Sequence, residues 1–435
     1  MKKTLKKSKK VTLIVLASVL GVLLLLTAVF GIRWAVHSKT PAEGYGEYLF
    51  NGGETQFDLD LFPYLIIEED ATQLKVMQIA DPQLKFGAFP SRDRKTFDLL
   101  ERSITSQKPH LCVVTGDLAL SLFTYDAFKY FAEFMEDMHT PWAFVYGNHD
   151  SQFDSSKYTI YNLLKQYPNC LFARGPADVY GESNYLVNIY KGTKSPENLA
   201  YSLVMLDSGM YPEAESVALT DWVYDWIHQD QIDWYNWAID GLQAINPDIQ
   251  SSMFFHIPIR QFADMYYADQ LQKGNAIPSQ IDVSTLGVAS QVKGTVCESD
   301  KADTELVDAG YNVGIFYQGK DPTATTHPDI FASVQAQNST KAIFCGHDHA
   351  NTLKGYYDGI YLGYGLCSGY HTYPYFDSEW FLTKWFGLSD KVLYNADLWV
   401  DENGEKMQKG VTMIEIDLAT EYGKLTVTDK QSKDL

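Results

Sequence analysis

Five apolar runs of four to seven residues in this chain each end on side chains that can hold a cation or move a proton. Leu74–Ala80 is followed by Asp81, Leu111–Thr115 by Gly116-Asp117, and Trp142–Tyr146 by Gly147-Asn148-His149-Asp150. Ser251–Phe255 is followed by His256, and Ala342–Cys345 by Gly346-His347-Asp348-His349. Short apolar runs closed by glycine and polar residues read as buried strands running into loops. Amphipathic stretches at Arg92–Ser106, Tyr125–Met138 and Lys157–Gln166 separate the first runs and predict helices. Strand and helix alternating at this spacing predict βαβ units and a largely parallel sheet. Ligands of such sheets bind beyond the carboxyl ends of the strands, where all five polar endings would lie.

Further along, Asn184–Tyr190 and Tyr201–Leu206 read as neighbouring strands and Asp230–Ile245 as a helix with Trp234 and Trp237 on one side. Runs at Thr352–Tyr356, Gly359–Tyr364, Val411–Ile416 and Lys424–Thr428 suggest a second, more antiparallel sheet. Residues 374–410 interrupt this series and read as an insertion within a domain spanning 71–435. Residues 33–70 carry turn signals at Asn51-Gly52-Gly53 and read as a stalk, ending in an apolar segment at Leu61–Ile67.

Val11 to Ile32 is 22 residues without a charge. As a helix this is roughly 33 Å long, enough to cross a bilayer. It exceeds a signal-peptide core, and no small-residue cleavage site follows it, so it reads as an uncleaved anchor rather than a removed signal. Residues 1–10 hold six lysines and would stay in the cytoplasm, placing the domain outside it on a single-pass cell-membrane protein. The chain carries a formal net charge of −20, and those six lysines leave −26 on the remainder. So acidic a surface repels polyanions and argues against nucleic acid as a partner. Five cysteines form no disulfide framework; Cys112 and Cys345 fall in core runs, while Cys170, Cys297 and Cys367 are open to pairing.

A lone His behind a strand is ordinarily a hydrogen-bonded structural residue, and Asp after Gly is ordinarily a turn or cap. Five such endings mixing carboxylate, carboxamide and imidazole favour metal, and the ligand types suit Fe, Mn or Zn over Ca or Mg. The donors outnumber a tetrahedral site, which implies two ions sharing a carboxylate. Such a pair activates water and clamps both oxygens of an in-line phosphoryl displacement.

At these residues the chain resembles the calcineurin-like metallophosphoesterase superfamily, whose pattern is D-x-H, G-D, G-N-H-D/E, a later His and G-H-x-H. Asp81-Pro82-Gln83, Gly116-Asp117, Gly147–Asp150, His256 and Gly346–His349 match it in order from about Leu74 to Tyr370. Leu206–Gly209, Gln231–Trp234, the His256-Ile257-Pro258 run and the Gly346–Tyr370 stretch are similar to the purple-acid-phosphatase-29-type branch. The resemblance implies a four-layer α-β-β-α sandwich with two mixed sheets, and phosphate-ester hydrolysis by a metal-bound hydroxide acting on a small phosphorylated substrate. It implies that Asp117 bridges the ions, with Asp81 and His349 on one and Asn148, His256 and His347 on the other; Gln83, at the family's His position, is a candidate ligand through its carboxamide oxygen. His149 would be the proton donor, with Asp150 either orienting it or capping a turn.

Two positions depart from the pattern. Gln83 stands where the family has His, and Leu120 where purple acid phosphatases place a tyrosine ligand. The rival readings are a catalytically impaired phosphate-ligand-binding surface protein and an envelope nuclease or nucleotidase. Aromatic residues at Trp222–Trp237 and Tyr356–Trp385 read as packing before sugar platforms. The Trp380–Phe386 run reads as a flap or packing segment before a membrane-surface element. His371 is a loop histidine within reach of the site, and His37, His110, His139, His228 and His327 lack supporting neighbours in sequence.

Overall fold

The computed structural model describes residues 2–39, 46–87, 90–210, 224–277, 281–296, 328–372 and 407–435. Its strands form two mixed sheets. The smaller has the order β13-β12-β2-β3-β4, built from β2 (Gln73–Ile79), β3 (Leu111–Thr115), β4 (Trp142–Val145), β12 (Gly410–Asp417) and β13 (Leu425–Gln431). The larger runs β1-β5-β6-β7-β9-β11-β10-β8. Its strands are β1 (Tyr64–Ile67), β5 (Tyr185–Lys191), β6 (Leu199–Met205), β7 (Ser251–Phe254), β8 (Ala289–Lys293), β9 (Thr340–Cys345), β10 (Lys354–Tyr357) and β11 (Ile360–Tyr364).

β3 shows why the chain folds this way. All five of its residues are buried, because it runs parallel between β2 and β4 with both faces covered. One core joins the inner faces of the two sheets, where Val113 and Phe144 meet Val187, Leu203 and Phe344, to α2 (Pro90–Gln107), α3 (Thr124–Asp137) and α4 (Lys157–Leu164). A second core packs the outer face of the larger sheet on α5 (Gln229–Ile245), α6 (Gln261–Gln272) and α7 (Ile330–Gln337). The layers are therefore helix, sheet, sheet, helix.

Two expectations change. The late strands do not make a sheet of their own: β10 and β11 extend the larger sheet, while β12 adds antiparallel to β2 and β13 antiparallel to β12. Nor is 33–70 a stalk along its whole length. Phe50 and Phe62 are buried in the second core, and β1 pairs in parallel with β5. Burying those apolar side chains outweighs leaving them on a tether in water. Of the interruption at 374–410, only 407–410 is described, and Gly410 already opens β12. Cys112, Cys170, Cys345 and Cys367 are free thiols, and Cys297 lies outside the described residues.

At the N-terminus α1 (Lys2–His37) is the one described helix long and apolar enough to cross a membrane, and its apolar stretch is not buried in the protein. It continues past the predicted end at Ile32 to His37.

Beyond β6, Asp207 pairs with Lys157 Nζ at 2.5 Å and accepts the Glu182 N–H at 2.8 Å. The Glu182 carboxyl is pushed up to about 8 by burial, with Asp207 adding to it, and its Oε2 has no hydrogen-bond partner among the described residues. The unfolded chain releases this proton near pH 4.3 and the folded chain holds it to about 8, so folding loses stability across that window as pH rises. Glu182→Gln is expected to melt roughly 2 °C above the parent at pH 8 and together with it at pH 4. Thermal melts across that range check this; coincident melts at pH 8 would show the carboxylate ionising there without cost.

Candidate metal centre

The parallel strands β2, β3 and β4 of one sheet and β7 and β9 of the other end at the same edge, so their loops converge. The sheets are tied there: Gln78 Nε2 donates to the Cys345 carbonyl at 2.9 Å, and Ala80 bridges Cys367. Asp81, Gln83, Asp117 and His347 all have left-handed backbone, with φ between 43° and 75°. Four non-glycine residues in that region at one edge mark a functional constraint rather than chance. Close approach explains two glycines: a Cβ on Gly116 would stand 2.6 Å from His256 Nδ1, and one on Gly147 2.3 Å from Asp117 Oδ1.

His256 donates from Nδ1 to the Thr115 carbonyl at 2.8 Å, which leaves the Nε2 lone pair facing inward. That nitrogen lies 3.0 Å from Asn148 Oδ1, 3.3 Å from His347 Nδ1 and 3.4 Å from Asp117 Oδ1. His347 Nδ1 is itself 3.0 Å from Asn148 Oδ1. Four lone-pair atoms at such spacings are the edges of a coordination polyhedron. Ligands about 2.1 Å from an ion are about 3.0 Å apart at octahedral corners and about 3.4 Å at tetrahedral ones.

A second group faces the other carboxylate oxygen of Asp117. Gln83 Nε2 donates to Asp117 Oδ2 at 3.1 Å and lies 3.1 Å from His349 Nε2. His349 Nε2 is 3.4 Å from Asp81 Oδ1. Asp81 also accepts the His347 N–H through both oxygens at 3.1 Å. Asp81, Asp117 and His256 bring one ligand atom each within 4.8 Å of one another, all three buried. The donor set fits two transition ions, with Asp117 offering one oxygen to each group.

The electrostatics agree with a cage for cations. Burial alone would raise the Asp117 carboxyl, but the His256 and His149 imidazoles hold it well below the usual range. His347 is driven well below the ordinary imidazole value by burial and by His256, and so presents a neutral nitrogen. Burial lowers His256 too, but Asp117 and Asp81 more than offset it.

His149 is the more exposed imidazole, at 27%, against 8% for His349. Its N–H donates to Asp117 Oδ1 at 2.9 Å, and its Nε2 is 3.8 Å from Asp117 Oδ2. Its Nδ1 donates to Gln152 Oε1 at 2.8 Å, so the proton it can give away is the one on Nε2. The orienting role considered for Asp150 thus falls to Gln152. Asp150 instead accepts the backbone N–H groups of Asp117 (2.9 Å), Ala119 (3.0 Å) and Gly147 (2.7 Å), knotting two loops together. Burial, reinforced by Asp117, pushes its carboxyl up to about 8.

Tyr224, which the pattern did not single out, borders the centre, and the segment that carries it also holds His228. Tyr224 stands edge-on to His347 with ring centroids 4.3 Å apart. His228 is stacked between Tyr180 (3.7 Å) and Trp226 (5.3 Å), with its Nε2 3.1 Å from Asp225 Oδ1. The Tyr224–His347 and Tyr180–His228 contacts join residues far apart in sequence. Gln152 was closer to legible, as an amide three residues after His149 in the same turn. His371 pairs with Asp93 at 3.0 Å, and both are buried. Trp234 and Trp237 pack in and against the second core, as expected of packing aromatics.

Residues 74–272 match the family model described as calcineurin-like phosphoesterase. An Arabidopsis thaliana protein named probable inactive purple acid phosphatase 29 is 27% identical over 330 residues, covering 69% of this chain and 73% of that protein. Phosphatase DCR2 of Saccharomyces cerevisiae is 25% identical over 221 residues, 46% of this chain and 37% of that protein. A crystal structure of a dimetal phosphatase from Danio rerio aligns with 82% of this chain and 96% of its own at 12% identity, with a TM-score of 0.42.

Proposed function

We propose that this chain, whose residues 74–272 match the calcineurin-like phosphoesterase model and which is similar in sequence to proteins named as purple acid phosphatases, is a binuclear metal-dependent phosphohydrolase held at the cell membrane by α1, with its domain outside the cytoplasm. The observation that carries the reading is that Asp117 turns Oδ1 toward the group of Asn148, His256 and His347 and Oδ2 toward the group of Gln83, His349 and Asp81. Asn148, His256 and His347 would hold one ion and Asp81, Gln83 and His349 the other, with Asp117 between them. The ions, of Fe, Mn or Zn type, would supply a lowered water pKa and charge neutralisation on the phosphoryl oxygens. The protein's own part is to fix that geometry, to exclude bulk water from a buried cage, and to deliver a proton from His149 Nε2 to the leaving oxygen. Gln152 holds His149 in the tautomer and rotamer this requires.

Gln83 gives the binding-only reading its one support, since a carboxamide is a weaker ligand than imidazole. Its amide nevertheless lies between Asp117 and His349, and a half-turn about the last torsion presents oxygen in place of nitrogen at that point. A pure binding site needs no proton donor, whereas His149 is both accessible and braced. The acidic surface disfavours the nuclease reading.

Purified protein is expected to hold close to two transition ions per chain and to turn over p-nitrophenyl phosphate, bis-p-nitrophenyl phosphate or nucleotides supplied with Mn, Fe or Zn. Full metal content with no turnover on the whole panel would leave the binding protein instead. Gln83→His is expected to tighten one of the two ions by about tenfold in a chelator competition, and Gln83→Ala to weaken it by about the same factor. Unchanged metal affinity in both variants would remove Gln83 from the ligand set.

A further inference from the structure

α1 does not leave the domain as a loose tether. Arg33, one residue beyond the uncharged span, pairs with Asp126 on α3 and with Asp154 at 2.8 Å. Its guanidinium lies 5.0 Å from the centre of the Phe123 ring. His37 stacks on Tyr125 at 4.2 Å, and its carbonyl accepts the Ser156 N–H at 3.0 Å. Asp154 also accepts the Tyr125 N–H at 3.3 Å. The last turns of α1 are thus gripped by segments 117–126 and 147–156, which also carry Asp117, Asn148 and His149.

The surface around this grip exposes large apolar side chains. Leu122 is 53% exposed, Tyr130 50% and Phe86 38%. Phe86 and Tyr130 lie ring to ring with centroids 6.1 Å apart. Phe123, under Arg33, reaches the neighbouring Gly87, where a Cβ would be 3.9 Å from its ring. Beside these rings the stretch 85–95 carries Lys85, Arg92, Arg94 and Lys95, and its single carboxylate, Asp93, is buried. In a chain of net charge −20 this is a local reversal of sign.

Exposed apolar side chains rimmed by cations suit a bilayer interface: the rings and leucine enter the acyl boundary and the cations meet lipid phosphates. Charge complementarity and continuity with the end of α1 both favour lipid over a protein partner. We infer that this face, with Phe86, Leu122 and Tyr130 at its centre and Lys85 and Arg92 on its rim, lies on the anionic bilayer that α1 enters. The loops bearing Asp117, Asn148 and His149 are thereby held at the membrane surface. The inference rests on reading α1 as a membrane span and is independent of catalysis.

The test uses the full chain in nanodiscs containing anionic lipid, with a nitroxide at Leu122→Cys, Tyr130→Cys, Val22→Cys within α1, or Val288→Cys on the far strand edge. The unsubstituted chain put through the same labelling supplies the background. Relaxation by lipid-soluble oxygen relative to an aqueous nickel chelate is expected to be about threefold or more higher at Leu122 and Tyr130 than at Val288, approaching that at Val22. Arg33→Ala is expected to return Leu122 toward the Val288 value. An aqueous response at Leu122 with a lipid response at Val22 overturns the face alone. An aqueous response at Val22 overturns the span and the face together. Protection of Leu122 from both reagents, the mark of a protein covering it, also overturns the proposal.

Discussion

Asp117→Ala is expected to purify with metal content near background and to lose phosphate-ester turnover by on the order of 10³-fold or more, the rate equivalent of several kcal/mol of charge stabilisation. The size follows from position. Asp117 Oδ1 lies 3.4 Å from His256 Nε2, and Oδ2 lies 3.1 Å from Gln83 Nε2, so one side chain serves both groups. Asp81, by contrast, faces His349 and the backbone N–H of His347. The fold should tolerate the change, because the tie from Asp117 to Asp150 runs through its backbone N–H. Asp117→Asn separates charge from shape, keeping the volume and one oxygen while losing the anion; it should fail nearly as badly. Elemental analysis and steady-state rates on one preparation check both. Two ions retained in Asp117→Ala would exclude the bridging role.

His149→Ala is expected to keep its metal and lose about 10²- to 10⁴-fold in rate, the usual worth of a placed general acid. The loss should depend on the leaving group. A p-nitrophenolate departs with little help, whereas an alkoxide needs the proton, so alkyl phosphates should suffer far more than p-nitrophenyl phosphate. Gln152→Ala should show the same dependence at about tenfold overall, because the imidazole remains but loses the acceptor that aims it. Gln152→Glu keeps an acceptor oxygen at that position and should recover most of the rate. Equal losses on both leaving-group classes would make His149 a structural or substrate-binding residue rather than a proton donor.

Much of this was legible because strand endings are local. Buried parallel strands need unbroken apolar runs, and their ends need glycine and polar residues, so Asp81, Asp117, Asn148, His256 and His347 all stand out in one dimension. Strand pairing is not local. β12 and β13 read correctly as strands, but their place beside β2 is set by contacts across more than 300 residues, and no periodicity encodes that. β1 was hidden for another reason. It is a four-residue edge strand with alternate residues exposed, so it looks like the end of a linker until Phe50 and Phe62 are seen buried nearby. In the site, Gln152 lacked the type signal of a ligand or acid, and only its distance from His149 gives it a role.

The knot at Asp150 bears on how the centre is loaded. Three backbone N–H groups from two loops converge on one buried carboxyl group that is not among the proposed ligands. The loops are therefore held in register by protein alone, and the cage does not wait for an ion to give it shape. A receptacle rigid before filling discriminates by size and donor type, not by the cost of reorganising. Which of several similar transition ions occupies it is then decided by what the surroundings supply and by the order of arrival.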